Sequence, residues 1–219
     1  MRNNFAFKII LIALISFYFS ANCFAQDYPA NDSVVNKFVI KLQNQGIDSI
    51  LTYQSYFPGA FIIRKPGMDT TCIHTDRANV YFLWKYKGVS YITLQNECAD
   101  YSPININADK LWQFYVRNET KIDSEKIKPF EIIELLNGKR EVFPVLVDHS
   151  SREDVMIIIG KKYIKQHFDG HDFEKATSGK QLNINYQYNM TAKSTKLEEI
   201  LRDIVREVSN KKLLKKIVQ

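Results

Sequence analysis

The feature that most constrains this chain is an apolar run near its start. Residues 9–19 are apolar except for Ser16, and Arg2 and Lys8 place positive charge before them. The run is too short for a helix that crosses a membrane, which needs about 20 residues, but its length is typical of a signal-peptide core. Ala25 suits the position before a cleavage site. We therefore expect a signal peptide over residues 1–25 and one exported domain over residues 26–219, with no transmembrane span.

A second interpretation of the same segment makes Cys23 a lipid anchor. Ala21 is a suitable small residue before such a cysteine, but Asn22 directly before Cys23 is unusual for lipoprotein processing. Anchoring also requires that the cysteine survives cleavage, whereas a cut after Ala25 removes it. The sequence therefore favours a freely soluble protein, periplasmic or secreted, over one attached to the cell envelope by a lipid.

Two further cysteines, Cys72 and Cys98, remain after that cut. A compartment outside the cytoplasm tolerates disulfides, and joining these two would stabilise the fold by about 3–4 kcal/mol on a chain-entropy model. The alternative is a pair of separate buried thiols, since cysteine is often buried without a partner. We expect the disulfide.

Hydrophobic periodicity predicts three helices. With 45% hydrophobic residues the chain can bury a core, which excludes disorder. A first helix is indicated over residues 34–42 and ends before Gly46, and a second follows a cap at Asn107. A third begins at a Thr195–Glu198 capping box and buries a stripe from Leu197 to Val208. On its other side we expect an exposed Glu198–Arg202 ion pair.

Alternating residues and turn dipeptides predict the strands. Residues 79–95 form a hairpin around Lys87-Gly88, and Asn137-Gly138 marks a second hairpin. Residues 155–159 are apolar enough for a central strand, which 163–168 prolong beyond a bend at Gly160. Residues 182–189 alternate Leu, Ile or Tyr with Asn or Gln, which predicts a strand with one wet face. The predicted fold is a single α+β domain, an antiparallel sheet flanked by an N-terminal and a C-terminal amphipathic helix.

Positive charge is concentrated at the C-terminus. The chain has a formal net charge of +6, and residues 193–219 hold eight basic and four acidic side chains. Such an excess could dock an acidic partner or an anionic lipid surface, through four lysines: Lys211, Lys212, Lys215 and Lys216. The simpler interpretation is a solvated helix end that complements the helix dipole. Nucleic-acid binding fits an exported protein poorly.

One loop concentrates metal-ligand side chains. His167, Asp169 and His171 lie within five residues of one another, and imidazole with carboxylate suits zinc. Residues 74–76 or 148–149 could supply a further His and Asp. Two His and one carboxylate would leave a position for water, as metal-dependent hydrolysis requires. The spacing differs from the helical His-Glu-x-x-His arrangement, and a polar surface loop is the simpler account.

No residue is predicted to be catalytic. Asp148, His149 and Ser150 are adjacent, so they cannot form a catalytic relay among themselves, and the nucleophile elbow of hydrolases is absent. Aromatic residues account for 13% of the chain, and tyrosines on the predicted strands could stack on sugars or anchor a protein. These are Tyr81, Tyr86, Tyr91, Tyr101, Tyr186 and Tyr188; the alternative is ordinary packing within the sheet.

The sequence therefore predicts a noncatalytic, exported domain that binds a protein or glycan outside the cytoplasm. Two alternatives remain: a metal-dependent hydrolase, built on the loop around Asp169, and an assembly protein that docks through its basic C-terminal helix. We expect no cofactor unless the first alternative holds, in which case the cofactor is zinc.

Overall fold

An antiparallel sheet with helices on both faces organises the chain, in agreement with the predicted α+β class. The computed structural model describes residues 33–58, 79–96, 99–147, 149–177 and 179–217. The main sheet has seven strands: β1 Ser49–Tyr56, β2 Val80–Tyr86, β3 Val89–Asn96, β4 Ala99–Asp100, β5 Ile104–Ile106, β8 Arg152–Ile159 and β9 Lys162–Asp169. Their spatial order is β4-β3-β2-β1-β8-β9, and β5 pairs with β3. A separate two-stranded sheet joins β6 Glu131–Leu136 to β7 Lys139–Pro144.

Four α-helices and one short 3-10 helix complete the described structure. They are α1 Ser33–Asn44, α2 Asp109–Ser124, the 3-10 helix Gly170–Phe173, α3 Tyr186–Thr191 and α4 Lys193–Asn210. The predicted N-terminal and C-terminal helices are therefore present as α1 and α4. In the part of the chain that the structure describes, none of the helices combines the length and the apolar character that a membrane span requires.

Strand alternation divides the interior into two hydrophobic layers. On β1, Ile50 belongs to the layer under α1, and its neighbour Leu51 belongs to the layer under α2 and α4. On β8, Met156 and Ile157 divide in the same way. Successive side chains of a strand point to opposite faces, so every central strand supports both layers. Each fully buried apolar side chain contributes about 1.5–3 kcal/mol.

Both predicted hairpin turns are confirmed. Lys87 and Gly88 have φ angles of 48° and 82°, and Asn137 and Gly138 have φ angles of 52° and 78°. Positive φ at both central residues is the geometry that matches the twist of antiparallel strands. The N-terminal helix is also confirmed, since Gly46 follows α1 with a φ of 76°.

The strand predicted over residues 182–189 is wrong. Leu182 forms an isolated bridge with Ala176, and α3 begins at Tyr186. The alternation is real, but its polarity is reversed: the asparagines at 183, 185 and 189 are buried, whereas Leu182 and Ile184 are exposed. The buried amides bond backbone groups of neighbouring loops, and those bonds replace a strand ladder.

Two other boundaries differ from the predictions. Residues 163–168 do not prolong β8; the chain reverses at Gly160, and β9 pairs antiparallel with β8. Helix α4 begins at Lys193, and Thr195 donates to the carbonyl of Asn189 instead of forming a capping box. The same helix ends at Asn210. The chain beyond it returns to the sheet, where Ile217 donates its backbone N–H to Asp100.

Candidate functional site

A pocket lies between α4, α3 and the ends of β8 and β9. Its volume is about 340 Å³, which is at the small end of the range for ligand sites. Carboxyl, guanidinium, hydroxyl and aromatic groups line it together. The lining residues are Ser151, Glu153, Phe168, Gly170, Phe173, Met190, Thr195, Glu198, Glu199 and Arg202. We call it the Glu198 pocket.

The sheet places one acidic and one aromatic side chain side by side in this pocket. Glu153 on β8 is directly opposite Phe168 on β9, and opposite residues of an antiparallel pair point to the same face. Glu153 also has the parity of Val155 and Ile157, which pack in the layer under α4. Strand periodicity alone therefore turns Glu153 towards that helix.

Helix α4 supplies the other two charged groups. Glu198 and Arg202 are one helical turn apart, so they lie on the same face. The predicted pairing is confirmed, with Arg202 Nε 3.5 Å from Glu198 Oε1. Its predicted exposure is wrong, because Glu198 is only 3% exposed. The buried position follows from the stripe itself: Glu198 precedes Leu201 by three residues and Val205 by seven.

Glu153 connects the helix to the centre of the sheet. Its Oε1 accepts a hydrogen bond of 2.9 Å from the hydroxyl of Tyr53, which is buried on β1. Its Oε2 lies 3.5 Å from Nη1 of Arg202. Burial and the neighbouring Glu153 carboxylate raise the pKa of Tyr53, so its phenol remains the donor. The carboxylate of Glu153 is therefore held between a fixed donor and a cation.

Glu198 is a buried acid whose carboxyl group is only partly hydrogen-bonded. Burial raises the pKa of its carboxyl well above the usual range, and a hydrogen bond to Glu153 together with that residue's charge raises it further. The Arg202 guanidinium lowers this pKa, but by less. The raised pKa of Glu198 therefore favours its protonated, uncharged form. Glu198 Oε1 and Arg202 Nε lie 3.5 Å from each other, but neither atom makes a hydrogen bond among the described residues, although buried polar atoms almost always make one.

A glycine fixes the wall of the pocket opposite the helix. Gly170 donates its N–H to the carbonyl of Ser151 at 2.7 Å. A Cβ at position 170 would lie 2.4 Å from Ser151 Oγ and 3.2 Å from the Ser151 carbonyl oxygen. The close approach of these two pocket-lining segments therefore depends on the absence of a side chain at position 170.

The three predicted metal ligands lie within the described residues, and each side chain contacts a different partner. His167 Nδ1 lies 2.6 Å from Asp154 Oδ1. Asp169 accepts from the His171 N–H and pairs with Arg152. Within the described ranges, no group of three or more His, Cys, Asp or Glu side chains is placed to hold a metal ion. Residues 74, 76 and 148 lie outside those ranges, so zinc binding stays a prediction.

The ring of His171 packs inside the fold. It stacks on Phe130 with ring centroids 4.5 Å apart, and its Nδ1 lies 3.3 Å from Glu174. The side chain of His167, by contrast, is 48% exposed on the edge strand. The two imidazole rings are therefore close in sequence but do not converge on one metal-binding position.

The remaining predicted site residues fall elsewhere. Cys72 and Cys98 lie outside the described residues, as does Cys23, so their disulfide and lipid predictions stay predictions. The four C-terminal lysines follow α4 rather than belonging to it. All four are exposed: Lys211, Lys212, Lys215 and Lys216. Of these, Lys211 pairs with Glu207 at 2.7 Å.

The tyrosines singled out from the sequence do not share one surface. Tyr91 stacks on Trp84 in the layer under α1, whereas Tyr81 packs against the opposite layer and bonds Ser209. Tyr188 is exposed beneath the ammonium of Lys128. The aromatic groups that line the Glu198 pocket are instead two phenylalanines, Phe168 and Phe173, which the sequence interpretation did not select.

The fold and the pocket define an α+β protein with helices on both faces of its main sheet. Comparison adds no relative to that description: the chain matches no protein-family model, and neither the curated proteins nor the solved structures compared with it show a similar protein. The functional argument therefore depends on the site alone.

Proposed function

We propose that this protein is an exported, noncatalytic binding domain that takes a small ligand in the Glu198 pocket. The observation that carries the proposal is a pocket that buried, incompletely hydrogen-bonded charged groups line together with two aromatic rings: Glu198 Oε1 and Arg202 Nε lie 3.5 Å apart, and neither makes a hydrogen bond among the described residues. A buried polar atom without a partner costs about 1–3 kcal/mol. A ligand that bonds this atom recovers part of that cost.

The arrangement of charge supports binding rather than catalysis. Glu153, which lines the pocket, already accepts from Tyr53 and faces Arg202. A general base must take up a proton and a nucleophile must form a bond to the substrate, whereas these two partners hold the Glu153 carboxylate as a hydrogen-bond acceptor. Metal-dependent hydrolysis ranks lower, because the three candidate ligands each have their own partner.

A pocket-blocking variant tests the function. Met190 lines the pocket and is 41% exposed, so Met190→Trp is expected to fill the mouth without straining the core. We expect some compounds in a library of small polar molecules to raise the melting temperature of the wild-type protein and to lose this effect in Met190→Trp. Differential scanning fluorimetry measures both.

Gln187→Trp is the matched control, because Gln187 is exposed on the same short helix and does not line the pocket. Compounds that stabilise the wild type should stabilise this control equally. The proposal fails if no compound stabilises the wild type, or if every stabilising compound acts equally on Met190→Trp.

Export is proposed on the sequence pattern of residues 1–25 and has its own test. We expect the mature protein from its natural host to begin at Gln26 and to have a mass 2 Da below that of the reduced chain, as one Cys72–Cys98 disulfide requires. Intact-mass spectrometry with and without reductant measures both features. A chain that retains Met1 contradicts export, and a lipid-modified Cys23 supports the envelope-anchored form.

A further inference from the structure

We propose that the Glu198 pocket binds a neutral saccharide ring, which hydrogen-bonds Glu153, Glu198 and Arg202 and packs against Phe168 and Phe173. This inference rests on the proposed function and adds the chemical class of the ligand. The shared chemistry is that of a hexose-sized ring, whether it is a free sugar or the terminal unit of a glycan.

Charge balance favours a neutral ligand. Within the cluster, the Glu153 carboxylate lies 3.5 Å from the Arg202 cation, and the raised pKa of Glu198 favours the uncharged form of that acid. Glu199, which also lines the pocket, pairs with Lys196 at 2.6 Å. The inner groups therefore sum to no net charge. A strongly charged ligand would enter a partly buried site without a counter-charge, and that desolvation is costly.

The polar groups match hydroxyl chemistry. The protonated Glu198 and the Arg202 guanidinium are donors, and the Glu153 carboxylate is an acceptor. A sugar hydroxyl both donates and accepts, so neighbouring hydroxyls can satisfy such a mixed set. Glu198 is more than nine-tenths buried and lines the pocket, and its Oε1, 3.5 Å from Arg202 Nε, makes no hydrogen bond among the described residues. A ligand hydroxyl in the pocket would supply the hydrogen bond that this carboxyl lacks.

The apolar part of the lining matches the other side of a sugar ring. Phe168 and Phe173 stack with centroids 6.4 Å apart and an interplanar angle of 28°. Both line the pocket, and Phe168 is directly opposite Glu153 in the sheet. An aromatic face presents a negative quadrupole, which attracts the slightly positive C–H groups of a sugar ring. One side of the ligand is thus recognised by hydrogen bonds and the other by packing.

Isothermal titration calorimetry at pH 7 tests this assignment. The neutral probes are glucose, galactose, mannose and N-acetylglucosamine, each as the free sugar and as an oligosaccharide. The charged comparators are glucosamine and glucuronate. We expect at least one neutral probe to bind. Comparison of the free sugars with the oligosaccharides distinguishes a free sugar from the terminal unit of a glycan as the ligand. Both Glu198→Ala and Met190→Trp should raise its Kd by roughly ten-fold or more, the scale of one lost buried hydrogen bond.

Glu198→Gln keeps a neutral group that donates and accepts, so we expect its Kd to stay within about three-fold of the wild-type value, well under the ten-fold that 1.4 kcal/mol represents. This variant also separates a binding role from a general loss of folding. The saccharide assignment is overturned if only the charged comparators bind, or if neutral binding is unchanged in Met190→Trp. If library compounds bind in a Met190-dependent way while none of the saccharides does, the class is wrong and the proposed function stands.

Discussion

Glu198→Gln is expected to be more stable than the wild-type protein at pH 8, by roughly 1–3 kcal/mol. The native pKa of Glu198 is raised above that of the unfolded chain, which is about 4.3. Above that pH the native state holds a proton that the unfolded state has released, so stability falls as pH rises, by at most about 1.4 kcal/mol per pH unit. Glutamine carries no such proton, and the decline disappears.

Urea unfolding at pH 5, 6, 7 and 8 measures this effect. The advantage of Glu198→Gln over the wild type should grow steadily across the series, because the groups that face Glu198 (Glu153, Arg202, Glu199 and Tyr53) are the same in both proteins. Glu199→Gln is the control. Glu199 is next in sequence and pairs with Lys196 at the surface, so its profile should run parallel to that of the wild type. Parallel profiles for Glu198→Gln would mean that Glu198 is ionised in the native protein.

Asn189→Ala is expected to lower the free energy of unfolding by about 2–4 kcal/mol. Asn189 is fully buried, and its side-chain amide makes three hydrogen bonds. The Lys128 N–H donates to Oδ1 at 3.0 Å, and Nδ2 donates to the carbonyls of Lys128 and Asp172 at 2.8 and 3.0 Å. Alanine leaves all three backbone groups without these partners.

Chemical denaturation of three variants identifies the cause of this loss of stability. Gln187→Ala, on the exposed side of the same helix, should change stability by less than about 0.5 kcal/mol. Asn189→Asp preserves the shape but places a carboxylate against two carbonyl oxygens, so it should also be strongly destabilising. If Asn189→Asp were as stable as the wild type, the amide donor would not be what holds this region together.

Elements that depend on a regular hydrophobic period or on local turn residues were predictable from the sequence. The stripe of α4 and the Lys87-Gly88 and Asn137-Gly138 reversals follow from short-range rules, and the structure confirms all three. The strand predicted over residues 182–189 failed because alternation alone does not say which side is buried. Its asparagines point inward because their side-chain amides bond backbone groups of residues 128–131, which lie more than 50 positions earlier in the chain.

The pocket was not predictable in the same way, because its parts come from distant positions. Tyr53 and Glu153 are 100 residues apart in sequence, and only the sheet register brings them together. One signal was present nevertheless: Glu198 falls on the apolar stripe of α4, three residues before Leu201. An acidic residue on a buried stripe needs a partner, and that rule points to the site.

The two hydrophobic layers of the sheet each contain one of the two tryptophans in the chain. Trp84 lies in the layer under α1, and Trp112 lies in the layer under α2 and α4. A variant with a single tryptophan therefore carries an intrinsic fluorophore on one side of the sheet only. Emission from Trp112 follows the side of the sheet that holds the Glu198 pocket, and emission from Trp84 follows the other side, so the two sides can be observed separately without an added label.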